Sequence, residues 1–245
     1  MKFFDLVDIS EKYMELVNPS TPEKAIKLGK YLRLNEGSRI IDFGCGFGEM
    51  LALWATNYGI RGVGIDIRTN ACERARQKMR YLGLTDRIEI VCMSAADYVY
   101  EPGTFDAATG IGATFAFGGF RPAIQTMRRA LRPGGRIGLG EPYWQHTNVP
   151  ADVVAREPSF VHEPVLFNMA REEGYDIEYA LRANHDDWDR YEADNWHGIV
   201  RWLEDNPAHL ERNQVLDHMR KTQDDYAVHG REFIGWAMYA LAPIV

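Results

Sequence analysis

Between residues 40 and 139, short apolar runs alternate with longer stretches whose apolar positions recur at helical spacing. The runs at 39–43, 62–66, 88–91, 105–112 and 131–140 have strand length. The amphipathic stretches at 47–57, 68–82 and 121–131 have helix length. Such alternation predicts parallel strands joined by right-handed crossovers, with ligands at the carboxyl ends of the strands near the point where strand order reverses. Two helices, 9–17 and 22–33, are expected ahead of the first strand, separated by Asn18-Pro19-Ser20-Thr21-Pro22, which supplies a cap and a first-turn proline. After Trp144 the alternation stops. A helix at 163–173 precedes an alternating strand at 175–181, residues 186–229 read as helical, and the final strand is expected at 233–241. No repeat, low-complexity tract or linker divides the chain, so residues 1–245 read as a single domain.

The chemistry concentrates where the first strand ends. Arg39-Ile40-Ile41-Asp42-Phe43-Gly44-Cys45-Gly46-Phe47-Gly48-Glu49-Met50 is a buried strand, an acid, three alternate glycines and a helix start. Glycine there permits a tight turn and lets a ligand approach the main chain. A dinucleotide fold is signalled by G-x-G-x-x-G facing pyrophosphate. Here the pattern is Asp42-x-Gly44-x-Gly46-x-Gly48, and an acid ahead of the glycines suits a cationic ligand group better than a phosphate.

This pattern resembles the first motif of the class I S-adenosylmethionine-dependent methyltransferases, whose cofactor carries a sulfonium, an amino acid tail and an adenosine. Gly62-Val63-Gly64-Ile65-Asp66 and Leu131-Arg132-Pro133-Gly134-Gly135 extend the match, which covers most of residues 10–142, and the chain looks most like bacterial small-molecule members. The resemblance implies a fold of the α/β class, a doubly wound, mostly parallel seven-stranded sheet with an antiparallel last strand and a helical cap. It divides the domain into an N-terminal helical cover (1–36), a cofactor-binding core (37–144) and a cap inserted before the last strand (186–229). It places S-adenosyl-L-methionine, leaving as S-adenosyl-L-homocysteine, against Asp42, Gly44, Gly46 and Gly48, with Asp66 accepting from the ribose hydroxyls beside Ile67. Ile111 and Tyr13, the latter closing from the N-terminal helix, complete the expected contacts. Where the family has an acid for the adenine amino group, this chain reads Met93-Ser94-Ala95-Ala96-Asp97, so either Ser94 substitutes or Asp97 reaches back.

Methyl transfer from a sulfonium is an in-line displacement that needs alignment, exclusion of water and, for some acceptors, a base, but no metal. Glu141, ending the fifth strand, is the leading candidate for proton handling, followed by Tyr143 and His146. Trp144, Trp188, Tyr191 and Trp196 are the expected acceptor-binding aromatics; for Trp144 and Trp188 an acceptor box and plain packing of the cap stand even, and Trp202 reads as packing.

Composition narrows the partners. A formal charge of −7 with no basic run argues against nucleic acid, which demands clustered Lys and Arg. No Asn-Pro-Pro-Tyr or Asp-Pro-Pro-Tyr follows the fourth strand. No apolar run approaches bilayer length, so no membrane partner is expected and the cytoplasm is the default compartment. Cys45, Cys72 and Cys92 lack metal-ligand spacing and read as small buried hydrophobes. The expected partner is a small-molecule acceptor, with monomer and homodimer both open. Two other functions compete: a non-catalytic sensor of the same cofactor and, opposed by the glycine spacing, a nicotinamide oxidoreductase.

Overall fold

The computed structural model describes residues 1–244. Its elements run α1 (Phe3–Ser10), α2 (Pro22–Tyr31), β1 (Arg39–Phe43), α3 (Glu49–Tyr58), β2 (Arg61–Asp66), α4 (Thr69–Tyr81), β3 (Ile88–Cys92), β4 (Phe105–Ile111), α5 (Phe120–Ala130) and β5 (Leu131–Trp144). Then follow α6 (Ala151–Val154), α7 (Glu163–Glu172), β6 (Tyr175–Arg182), α8 (His185–Asp205), α9 (Arg212–Asp225), α10 (Arg231–Phe233) and β7 (Ile234–Pro243). The seven strands form one sheet in the order β3-β2-β1-β4-β5-β7-β6. β1 to β5 are mutually parallel, while β7 runs antiparallel to both β5 and β6. This is the doubly wound α/β sheet expected of the chain, and its order reverses between β1 and β4.

Strand alternation builds a core on each face. Ile40 on β1 joins Leu28 of α2, Leu51 and Trp54 of α3 and Cys72 and Met79 of α4. Ile41 and Phe43 join Phe120, Ile124 and Met127 of α5 and Leu166 of α7 on the other side. Trp54 is fully buried and donates its indole N–H to the carbonyl of Ala25 at 2.8 Å, which fixes α2 against α3. Thr21 caps α2 by accepting from the Lys24 N–H, with Pro22 in the first turn.

One departure from the expected elements has a physical cause. The first helix occupies Phe3–Ser10, not 9–17, and residues 11–20 form turns and bends. There the Arg74 guanidinium of α4 donates to the carbonyls of Glu11, Lys12 and Met14, taking acceptors that a helix would use internally. The stretch expected to be helical before the last strand holds α8, α9 and a wider helical turn at Tyr226–Gly230. Asn184 caps α8 reciprocally with Asp187, and Lys24 pairs with Asp187 to tie the cap to α2. Gly198 of α8 lies so close to α1 that a Cβ there would stand 2.3 Å from the Ser10 carbonyl oxygen, so α1 and α8 meet backbone to backbone. Among the described residues, no helix is long and apolar enough to cross a membrane.

Candidate cofactor and acceptor site

The loop after β1 is held by β2. The N–H groups of Gly44 and Cys45 both donate to the Ile65 carbonyl, at 2.7 and 2.9 Å. Gly44, Gly46 and Gly48 have φ of 78°, 54° and 73°, the left-handed region that side chains rarely adopt. A Cβ on Gly44 would stand 2.4 Å from the Cβ of Ala113, after β4, and one on Gly46 would stand 3.0 Å from Val17. The acid at the end of β2 completes the frame: one oxygen of Asp66 accepts from the Gly46 N–H and the other from the Arg68 N–H, each at 2.9 Å. A carboxylate that accepts two main-chain donors is locked in rotamer and presents its remaining lone pairs outward.

These pieces border a cleft of about 480 Å³ at the carboxyl ends of the strands. Gly44, Gly46, Asp66, Ile67, Ser94, Ala95 and Ile111 line it on the sheet side. Phe3, Phe4 and Val7 of α1 and Tyr191 of α8 line it opposite. The cover is fastened by Arg68, which contacts Glu11 at 2.7 Å, Asp8 at 3.4 Å and Asp66 at 3.7 Å. Burial raises the Glu11 carboxyl above its usual range, against the pull of Arg68. Asp42 is 2 % exposed and opens instead onto a small recess whose wall shares Gly44, Val17 and Ile111 with the cleft. Burial lifts its pKa to about 6, although Thr109 donates to it at 2.7 Å.

Several expected contacts fall elsewhere. Tyr13 sits on the turn after α1, 49 % exposed and packed on His197, because the first helix ends before it. Phe3, Phe4 and Val7 take its place; their signal was an apolar i, i+1, i+4 pattern at the amino terminus. Ala96 and Asp97 are exposed and outside the lining, which leaves Ser94 as the polar side chain of that segment in the cleft. Gly48 is the left-handed cap of α3, packed toward Met79 and Ala75 of α4 rather than toward the cleft. Arg68 was missed; its signal was a cation two residues after the strand-end acid.

The acceptor side departs further. Tyr143 is buried among the α5 and α7 side chains, its ring in the space that Gly235 leaves on β7. His146 is exposed on the bend after β5, edge-on to Phe233 at 6.1 Å. Trp144 is 4 % exposed and packs on Phe160 at 5.5 Å. None of the three lines the cleft. Glu141 stands behind its wall and accepts from the Thr114 hydroxyl at 2.6 Å, between the lining residues Ala113 and Phe115. Burial pushes the Glu141 pKa up to about 7, with the Thr114 bond opposing. Trp188 and Trp196 of α8 both pack on Tyr226. Glu192, between them, was not anticipated: burial alone pushes its pKa up to about 7.

Left-handed glycines, a strand-end acid locked by the loop it faces and a covering helix fit a nucleoside carrying no phosphate. The sequence matches a methyltransferase-domain family over residues 40–135. The uncharacterized protein YjhP of Escherichia coli (strain K12) is 36% identical over 238 residues, 95% of this chain and 96% of the relative. A SAM-dependent methyltransferase from Geobacter sulfurreducens, solved in complex with S-adenosyl-L-homocysteine, is 37% identical with a TM-score of 0.92 over 98% of each chain. One from Thiobacillus denitrificans, in the same complex, is 34% identical with a TM-score of 0.92 over 100% of each chain. The chain belongs to the S-adenosylmethionine-dependent methyltransferases. Its cofactor is accordingly S-adenosyl-L-methionine rather than a nicotinamide dinucleotide.

Proposed function

We propose that this enzyme methylates a small-molecule acceptor, binding it between the carboxyl rim of the sheet and the α8–α9 cap. The observation that carries the reading is a partly enclosed cleft lined by Gly44, Gly46 and Asp66 on one side and by Phe3, Phe4 and Tyr191 on the other. The formal charge of −7 disfavours a polyanionic acceptor. In this reading residues 1–36 are the cover, 37–144 the cofactor core and 186–229 the cap.

When bound, S-adenosylmethionine supplies an electrophilic methyl group on a sulfonium. Gly44 and Gly46 give it access to the main chain, Asp66 takes the ribose hydroxyls, and Asp42, in the adjoining recess, favours positive charge. Ile67, Ser94, Ala95 and Ile111 form the adenosine walls, while Phe3 and Phe4 exclude water. Glu141 is the group we assign to proton handling. With a pKa of about 7 it is part deprotonated at neutral pH and matched to take a proton from an acceptor that reaches it past Thr114. Tyr143, in the core, and His146, in solvent, take no part in this reading.

The test is transfer of an isotopically labelled methyl group from S-adenosylmethionine into pooled small amines, phenols, thiols and carboxylates. Labelled product with one class, and a fall of roughly 10²-fold or more in kcat for Glu141→Gln at unchanged cofactor affinity, is the expected result. A protein that binds the cofactor yet labels no pool would favour the sensor.

A further inference from the structure

Asn18 stands in the segment between α1 and α2, is 5 % exposed, and has a side-chain oxygen that is buried with no hydrogen-bond partner. A buried amide oxygen left unpaired costs stability, and a donor brought by a ligand removes that cost. The segment is held in place from the cap. The Arg190 guanidinium of α8 donates to the carbonyls of Asn18 and Ser20, at 3.4 and 2.7 Å, and Pro19 restricts the backbone between them. The fold therefore positions Asn18 before any ligand arrives.

Asn18 lines the same small recess as Asp42. With a volume of about 20 Å³ the recess has room for one small group and not for a whole ligand. It is a side branch of the cofactor cleft, because Val17, Gly44 and Ile111 border both. Its charged lining is Glu15, Asp42 and Glu49, and among the described residues no Lys, Arg or His lines it. Glu15 and Glu49 both pair with Lys78, which leaves Asp42 out. Thr109 donates to one oxygen of Asp42 at 2.7 Å, and no donor among the described residues meets the other. Two unpaired acceptors beside a space for one group match a guest that carries several N–H donors and a positive charge. We propose that the recess takes the α-ammonium of the cofactor's amino acid tail, with the side-chain oxygen of Asn18 accepting from it beside Asp42, so that Asn18 selects for a cofactor with its amino group intact. This rests on the placement of the cofactor in the cleft given above. It gives the N-terminal cover a part in cofactor specificity, where the sheet rim serves the nucleoside.

The experiment is calorimetry with S-adenosylhomocysteine and two analogues that each keep half of its tail. One is 5′-(3-aminopropylthio)adenosine, which keeps the ammonium, and the other 5′-(3-carboxypropylthio)adenosine, which keeps the carboxylate. The amine is expected to bind the wild type about tenfold or more tightly than the acid, the discrimination available from hydrogen bonds to a charged group. Asn18→Leu keeps the approximate size without an acceptor, and is expected to lower affinity for the amine by roughly tenfold while leaving the acid nearly unchanged. Asn18→Asp, whose side chain only accepts, is expected to keep the preference for the amine. Equal binding of the two tails, a preference for the acid, an unchanged preference in a folded Asn18→Leu protein, or its loss in a folded Asn18→Asp protein overturns the proposal. If Asn18→Leu does not melt cooperatively, the wild-type comparison and Asn18→Asp decide. Failure of the wild type to bind S-adenosylhomocysteine would sink the cofactor placement itself; normal binding of it with equal affinity for the two tails would sink only the role of Asn18.

Discussion

Asp66 lines the cleft from the sheet rim, Glu192 follows Tyr191, which lines it from α8, and the surroundings of the two acids differ. Both Asp66 oxygens accept main-chain hydrogen bonds, from Gly46 and Arg68, so the carboxylate is positioned before any ligand arrives. Glu192 has burial without a compensating partner, beside indoles with unused donors. The rim is therefore preorganised by backbone groups that substitution cannot remove. In the proposed reading, preorganised charge at the rim serves cofactor affinity and the side chains of the cap select the acceptor.

The comparison breaks most visibly at Gly46. A valine there needs a φ near 54°, strongly disfavoured for a branched residue, and begins with a Cβ 3.0 Å from Val17. Gly46→Val should weaken S-adenosylhomocysteine binding by about hundredfold or more in calorimetry while retaining a cooperative melt. Near-normal binding would mean that the loop is not the cradle. Asp66→Ala comes next. It orphans the Gly46 N–H and deletes the ribose acceptor, and a hydrogen bond to a charged group contributes about 1.5–3 kcal/mol, so affinity should fall by roughly ten- to hundredfold. An unchanged affinity would place the nucleoside elsewhere. A smaller effect, read by hydrogen exchange, separates the regions dynamically. α1 and α8 should gain protection on ligand binding while β1 and β4 change little, because the former touch the cleft only through side chains and one crossing at Gly198. Equal protection everywhere would make the cap a rigid appendage.

The same contrast governs what the sequence discloses. Strand-end acids are legible because each closes a short apolar run, and the turn glycines are legible because backbone conformation is a local property. The parallel strands followed from alternation, and the antiparallel last strand from the family resemblance. The end of the first helix at Ser10 was hidden because the carbonyls of Glu11, Lys12 and Met14, just beyond it, accept from an arginine some sixty residues away. Tyr143 looked like a candidate for proton handling at a strand end, but its place is set by pairing with Gly235, about ninety residues on, whose missing side chain makes room for the ring. Trp188 and Trp196 announced a stripe on α8, yet whether it packs or binds depends on Tyr226, which only the fold brings there.

The smallest effect expected is in stability, at Glu141, where the rim meets the acceptor side. Its pKa in the fold is about 7, against an ordinary 4.5, chiefly because burial disfavours the charged form. Between those values the folded protein keeps a proton that the unfolded chain has released, so the contribution of Glu141 to stability falls as pH rises from about 4.5 through 7. Glutamine keeps the size and can still accept from Thr114, but has no charge to bury. Glu141→Gln should therefore match the wild type at acid pH and exceed it at pH 8 by roughly 1–2 kcal/mol, less than the full shift implies because the side chain keeps some contact with water. In melting temperature that is a gain of about 2–8 °C for a chain of this size, with S-adenosylhomocysteine affinity unchanged. A variant less stable than the wild type at pH 8 would mean that the carboxylate is held charged by a structural partner. That outcome would take Glu141 out of proton handling and place it, like Asp66, among the groups the fold has already satisfied.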